Sequence, residues 1–186
     1  MLETERLCLR HWREADLEPY AAMMADPEVG YWLAGTMSRE QCAAQIGRIE
    51  THFAARDFGL YAVERKADRM FLGFTGLITL GDSFKATPLA GGVEIGWRLA
   101  RQAWGGGYAT EAARAALAEG FGRLGLGRII AITTVTNQRS RAVMERIGLV
   151  RDVAADFDHP DLPGDHPLVR HVVYKKTAPG RGLAEA

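Results

Sequence analysis

Cysteine is nearly missing from this chain: Cys8 and Cys42 are the only two among 186 residues. They lie far apart with no C-x-x-C spacing, which argues against a disulfide framework or a structural zinc site. Both are read as reduced, packed thiols. No apolar run approaches the roughly 20 residues that cross a bilayer. The opening MLETERLCLR carries charges where a secretory leader needs its apolar core. A cytoplasmic protein without membrane partners is expected. An excess of either charge is missing too: 23 basic and 23 acidic side chains cancel, so no overall field recommends nucleic acid or an anionic membrane as partner. What is present is a 47% hydrophobic composition, enough for a substantial core in one domain. Residues 1–177 are expected to form it and residues 178–186 to be a disordered tail, with no internal repeat.

Along the chain, Leu7 and Leu9 alternate with polar neighbours as in a half-buried strand, and residues 16–25 shift to helical spacing. Asp26-Pro27 ends that helix, because the residue before proline is pushed out of the α region. Ser38, with Glu40 and Gln41 behind it, starts a second helix that runs to about Arg56. Residues 60–80 read as a hairpin turning near Ala67-Asp68-Arg69, and residues 81–92 as a loop. In the next strand, Val93, Ile95, Trp97 and Leu99 share one face and Glu94, Gly96 and Arg98 the other. Ala109, Ala112, Ala113, Ala116, Leu117, Phe121 and Leu124 make the stripe of an amphipathic helix ending near Gly125 and Gly127. Residues 128–135 form a buried β-branched strand, residues 140–147 a short helix closed by Gly148, and residues 149–176 two strands around a proline-rich loop.

Between the strand carrying Glu94 and the alanine-rich helix stand Trp104-Gly105-Gly106-Gly107-Tyr108-Ala109-Thr110. A helix N-terminus offers unpaired N–H groups and the positive end of a dipole, and three glycines before it let a phosphate come close. A bare strand-to-helix turn would need about one glycine. A P-loop, GxxxxGK with Ser or Thr, is absent. The dinucleotide fingerprint begins at Gly105 and Gly107 but meets Thr110 where its third glycine belongs, and no acidic residue ends the following strand.

The run from Trp104 to Ala112 resembles the acyl-CoA pyrophosphate motif of the GNAT N-acetyltransferases, and is most similar to their RimJ/RimL-like branch. Gly107 and Ala109 occupy the motif's last two fixed places, while Trp104 stands where Gln or Arg is usual and leaves anion contacts mainly to backbone. The resemblance extends from Thr4-Glu5-Arg6-Leu7 through Glu94-Ile95-Gly96-Trp97 to Asn137 and residues 140–149. It implies an α/β fold whose central, mostly antiparallel mixed sheet splays in the middle, with helices on both faces. Acetyl-CoA would lie against Ile95, Gly96, Trp97, the turn from Trp104 to Thr110, Asn137 and Ser140, its pantetheine arm pairing with strand backbone. The sequence does not specify an oligomeric state, and a homodimer is expected only as the commonest assembly among soluble oligomers.

Direct transfer to a primary amine needs a neutral nitrogen, and a lysine amine with pKa about 10.4 is almost wholly charged at neutral pH. A base is therefore useful. Glu94 is the first candidate, against a structural carboxylate or a partner for Arg98. Met144 stands where many relatives carry a tyrosine that protonates the thiolate. Asn137 can bond the pantetheine arm or cap a helix, and Ser140 can donate to sulfur or serve the same helix start. The run Asp156-Phe157-Asp158-His159-Pro160-Asp161, with Asp165, His166 and His171, matches no metal motif and reads as a solvated loop beside the acceptor pocket. No metal is expected. Tyr31, Trp32, Met23 and Met24 either line that pocket or belong to the core. The acceptor is a protein N-terminus or a small-molecule amine. The alternatives are a non-catalytic acyl-CoA sensor or interaction module, and a phosphate-transfer enzyme that would bind nucleotide instead.

Overall fold

In the computed structural model, which describes residues 1–33 and 35–178, nine strands make one sheet. The chain begins with β1 (Leu2–Glu3) and β2 (Leu7–Arg10), then the helices α1 (Leu17–Ala25), α2 (Pro27–Gly30) and α3 (Arg39–Arg56). The hairpin β3 (Leu60–Arg65) and β4 (Phe71–Thr79) follows, then β5 (Val93–Leu99), α4 (Tyr108–Phe121), β6 (Arg128–Thr134) and α5 (Gln138–Arg146). Last come β7 (Val150–Arg151), β8 (Phe157–Asp158) and β9 (Arg170–Thr177). The spatial order is β1-β2-β3-β4-β5-β6-β9-β7, with β8 beside β9.

Local chemistry sets the helix ends. Asp26 closes α1 and its carboxylate accepts from the Glu28 N–H at 2.9 Å, so the same residue caps α2 with Pro27 at the first position. A reciprocal capping box opens α3: Ser38 Oγ accepts from the Gln41 N–H at 3.2 Å and Gln41 Oε1 from the Ser38 N–H at 2.7 Å. The alanine stripe of α4 is fully buried at Ala112, Ala113 and Ala116, a narrow face that brings the helix close to the sheet. That helix stops at Phe121, before Leu124, and the chain then turns through Gly125 at φ 62°. The expected helix over 140–147 begins earlier, at Gln138, because Asn137 caps it. Between residues 149 and 176 the expected pair of strands becomes two short pieces and one full strand, since β7 and β8, of 2 residues each, pair with different stretches of the 8-residue β9. Of the expected tail, Ala178 donates its N–H to Gly127 O at 2.9 Å, and residues 179–186 lie outside the described residues.

The central relation is a mismatch between neighbouring ladders. Strand β5 pairs antiparallel with β4 over seven positions, from Gly73↔Leu99 to Thr79↔Val93. On its other side it runs parallel to β6 and is paired only at Glu94↔Ile130, after which the strands separate. Cross-strand partners share a face, so Glu94 lies with Ile78, and Arg98 with Phe74, on the side packed by α1 and α3. Ile95 and Leu77 lie on the opposite side against α4. The sheet is thus mixed, open in its middle and covered by helices on both faces. Among the described residues no helix is long and apolar enough to cross a membrane.

Candidate active site

A cleft of about 2400 Å³ follows the separation of β5 and β6 and continues to the N-terminus of α4. That exceeds the roughly 300–1,000 Å³ usual for a single small ligand, so the cleft has room for two reactants.

At one end, Gly105 and Gly107 adopt φ of 77° and 80°, a left-handed conformation that side chains with a Cβ resist. A Cβ on Gly105 would meet no protein atom within 4 Å, so the space before the helix is open. No side chain caps α4, which leaves its first-turn amides directed at that space. Trp104 is pinned by its indole N–H to Leu99 O at 2.8 Å, with the Arg139 guanidinium 4.7 Å from its ring centre. Gly105, Gly107, Tyr108, Ala109 and Thr110 line the cleft, and so do Arg114, Arg139 and Arg146. These three arginines were not singled out by the sequence, where scattered cations on two helices carry no motif. Uncapped amides, an open cradle and three guanidiniums form a donor set suited to a polyphosphate.

Gly106 is the exception. It does not belong to the cleft wall; its carbonyl accepts from Arg6 Nη1 at 3.0 Å. Thr4 and Arg6 both close on Glu111 in the first turn of α4, Thr4 Oγ1 to Oε1 at 2.5 Å and the Arg6 N–H to Oε1 at 2.9 Å. The opening Thr4-Glu5-Arg6-Leu7 therefore buttresses the glycine turn from behind, a contact spanning more than a hundred residues that no local pattern reveals.

Along the cleft floor, Glu94 is half-buried and Ile95, Gly96 and Trp97 follow it. Removal from water pushes the Glu94 carboxyl up to about 8, while the Ile132 N–H and the charge of Arg98 pull in the other direction. Glu94 and Arg98 form no ion pair within 4 Å, so Arg98 acts on Glu94 only through space. A Cβ on Gly96 would touch nothing within 4 Å, which leaves open space between these two residues.

Asn137 Oδ1 accepts from the Ser140 N–H at 3.2 Å. This is the capping arrangement, and both residues also face the cleft, as does the buried Met144. His159, Asp161, His166 and His171 also line the same cleft. The His159 and His171 rings lie 4.8 Å apart, and burial holds both below the usual histidine range. Asp156 is instead taken by Arg151, and Asp158 by Arg170 at 3.2 Å. Of the residues weighed for the acceptor pocket, Met23 and Met24 are core and Trp32 lines the cleft, whereas Tyr31 is exposed beside a shallower depression. Cys42 is buried and unpaired with its thiol pushed up by burial, and Cys8 is likewise free.

Comparison with known proteins agrees with this geometry. The acetyltransferase (GNAT) domain family matches residues 6–150. The chain is 30% identical to the uncharacterized protein YkkB of Bacillus subtilis over 149 residues, 80% of this chain and 84% of that one. It is 27% identical to the uncharacterized N-acetyltransferase YoaA of the same organism over 154 residues, 82% of this chain and 84% of that one. Among solved structures, an acetyltransferase from Agrobacterium tumefaciens superposes with a TM-score of 0.74 at 28% identity, covering 94% of this chain and 92% of the other. The chain belongs to the GNAT family and is an acetyltransferase, an enzyme class that uses acetyl-CoA.

Proposed function

We propose that this protein transfers acetyl from acetyl-CoA directly to a primary amine, without an acyl-enzyme, with Glu94 as the base. Acetyl-CoA supplies a thioester: the amine nitrogen bonds to its carbonyl carbon, the C–S bond breaks, and the sulfur leaves with the electron pair as the thiol once protonated. The first-turn amides of α4, with Arg114, Arg139 and Arg146, would hold the pyrophosphate and phosphate groups. The backbone of β5 from Ile95 to Trp97, left without a β6 partner, would pair with the pantetheine arm and offer an N–H to the acetyl oxygen.

The observation that carries the reading is Glu94, a carboxyl raised to about 8 at the one position where β5 and β6 pair. A base poised near neutrality accepts a proton from an ammonium far better than an ordinary carboxylate. Asn137 and Ser140 flank the place where sulfur would depart, and Ser140 or a water held there would return a proton. The buttressing Thr4-Glu5-Arg6-Leu7 supports kinship with the RimJ/RimL-like branch, and two free thiols are consistent with a cytoplasmic setting. Residues 1–177 would act as one unit.

The test is release of free thiol from acetyl-CoA over a panel of amines and N-terminal peptides, with Glu94→Gln alongside. Amine-dependent thiol that Glu94→Gln abolishes, at unchanged acetyl-CoA affinity, supports the assignment. Tight acetyl-CoA binding with no amine-dependent thiol favours the sensor, an outcome consistent with Met144 at the place of the usual tyrosine.

A further inference from the structure

Two arginines project from the sheet into protein, and they are treated very differently. Arg10 is bracketed by carboxylates, Asp16 at 2.6 Å and Glu64 at 2.8 Å. Arg98 has none. Its Nη1 meets Met24 Sδ at 3.4 Å and its guanidinium carbon lies 5.2 Å from the Phe74 ring centre; the nearby Tyr20 phenol donates its own hydrogen bond to Gln45 Oε1. No carboxylate among the described residues hydrogen-bonds it; Glu94 acts on it only through space. Sulfur, an aromatic face and a neutral phenol shield a cation without neutralising it. Charges drawn out of water are ordinarily paired, so the half-buried Arg98 is a guanidinium kept without its counterion.

Arg98 also lines the cleft. It stands on the same face of β5 as Glu94, with Gly96 and its open space between them. The strand rise puts the two Cα atoms about 13 Å apart. Arg48 of α3 lines the same chamber and is exposed, which adds a second cation near its mouth. Val29, Met37 and Ile78 complete a largely apolar wall. Along this face of β5 the chamber therefore holds positive charge at one end and a largely protonated carboxyl at the other, with Asp161 elsewhere in the cleft lining, a balance that suits a molecule with an anion beyond its amine.

We propose that the acceptor is a primary amine that also carries a carboxylate, bound as the missing counterion of Arg98, with Arg48 drawing it in. This rests on the acetyl-transfer reading and names its substrate class. The planar guanidinium fork matches a carboxylate in two hydrogen bonds, and anchoring at Arg98 would present the amine to the open space over Gly96.

The experiment measures thiol release at saturating acetyl-CoA with matched pairs. These are phenylalanine and phenylalaninamide, methionine and methioninol, and 6-aminohexanoate and hexylamine, with spermidine as the polycation. The acid of at least one pair is expected to exceed its neutral partner in kcat/KM by about 10- to 100-fold, the worth of a charged hydrogen-bonded anchor. Arg98→Met is expected to erase that preference, chiefly through KM, while calorimetry shows unchanged acetyl-CoA affinity. Arg98→Lys should restore part of it. A preference for the neutral partners or for spermidine, or a preference for the acid that survives Arg98→Met, overturns the proposal. Should Arg98→Met lose its fold by circular dichroism, the wild-type ratio and Arg48→Gln decide, since Arg48→Gln is then expected to lower kcat/KM for the acid alone. Thiol release with none of the amines defeats the acetyl-transfer reading and this proposal with it.

Discussion

Arg6 grips Glu111 with both arms of its guanidinium, Nε at 2.7 Å and Nη2 at 2.6 Å from Oε2, while Nη1 holds Gly106 O. Its plane lies over the Tyr108 ring at 4.5 Å. The N-terminal segment thereby fixes the shape of a turn encoded a hundred residues later. As Arg6 remains partly exposed, solvent screens the ion pair, and the stability it supplies is modest. Its larger effect is preorganisation of the turn.

Arg6→Ala is accordingly expected to weaken acetyl-CoA binding by about 1 kcal/mol, roughly fivefold in Kd. kcat should stay nearly constant. Calorimetric titration with acetyl-CoA checks the first and steady-state rates the second; unchanged affinity would show that the turn holds its shape without the clamp.

Gly105→Ala separates conformational strain from obstruction. The added methyl meets no protein atom, but alanine is held in the left-handed conformation that Gly105 already adopts, at a cost of about 1–2 kcal/mol. The thermal midpoint should fall by a few degrees. Acetyl-CoA affinity should fall further than Arg6→Ala makes it, because the methyl occupies the phosphate cradle. Scanning calorimetry with and without acetyl-CoA resolves the two effects.

With Glu94 as the proposed base, its ionised form would carry the reaction, so kcat/KM is expected to climb with pH through about 8 and then level. Glu94→Gln should remove that limb and lower the rate about 100-fold or more. The same shift bears on stability. The folded protein holds a proton on Glu94 that the unfolded chain, with an ordinary carboxyl, has released. Stability is therefore lost as pH rises between the usual carboxylate range and about 8, at no more than about 1.4 kcal/mol per unit. Denaturant titrations should find Glu94→Gln more stable than the parent at pH 9 and not at pH 4.

Much of this was legible in the letters, for reasons that differ by element. The alternation in β5 separated Glu94, Gly96 and Arg98 from the apolar row because a strand buried against a helix writes its two faces at period two. The glycine turn and the alanine stripe were legible because both are local. The start of α5 was missed by two residues, since Asn137 was weighed equally as cap and as ligand contact, and it caps while facing the cleft. Gly106 was placed in the site by motif, whereas its orientation depends on Arg6, a tertiary partner. Arg98 looked like a local mate for Glu94. Only the packing of Tyr20, Met24 and Phe74 around it shows that it is solitary. Charges that a sequence lists as balanced can be unbalanced within one chamber.

Gly96→Ala tests whether the floor between Glu94 and Arg98 must stay bare. The methyl contacts nothing in the protein, so the melting temperature should shift by no more than a degree or two. Acceptor KM or kcat should nonetheless worsen about tenfold or more, because reacting atoms displaced by about 1 Å can cost as much as 100-fold. An unaltered rate would move the reacting groups away from Gly96.

The single ladder position joining β5 to β6, Glu94↔Ile130, has one more consequence. Beyond it the fold keeps two unfinished strand edges in its interior, where an edge on the surface would invite neighbouring chains to add themselves and aggregate. Flanked by helices on both faces, these edges are reached through the cleft and not from the rim of the sheet. The fold thus keeps a hazard of β-architecture away from the sheet's outer rim, where another chain's strand would add itself.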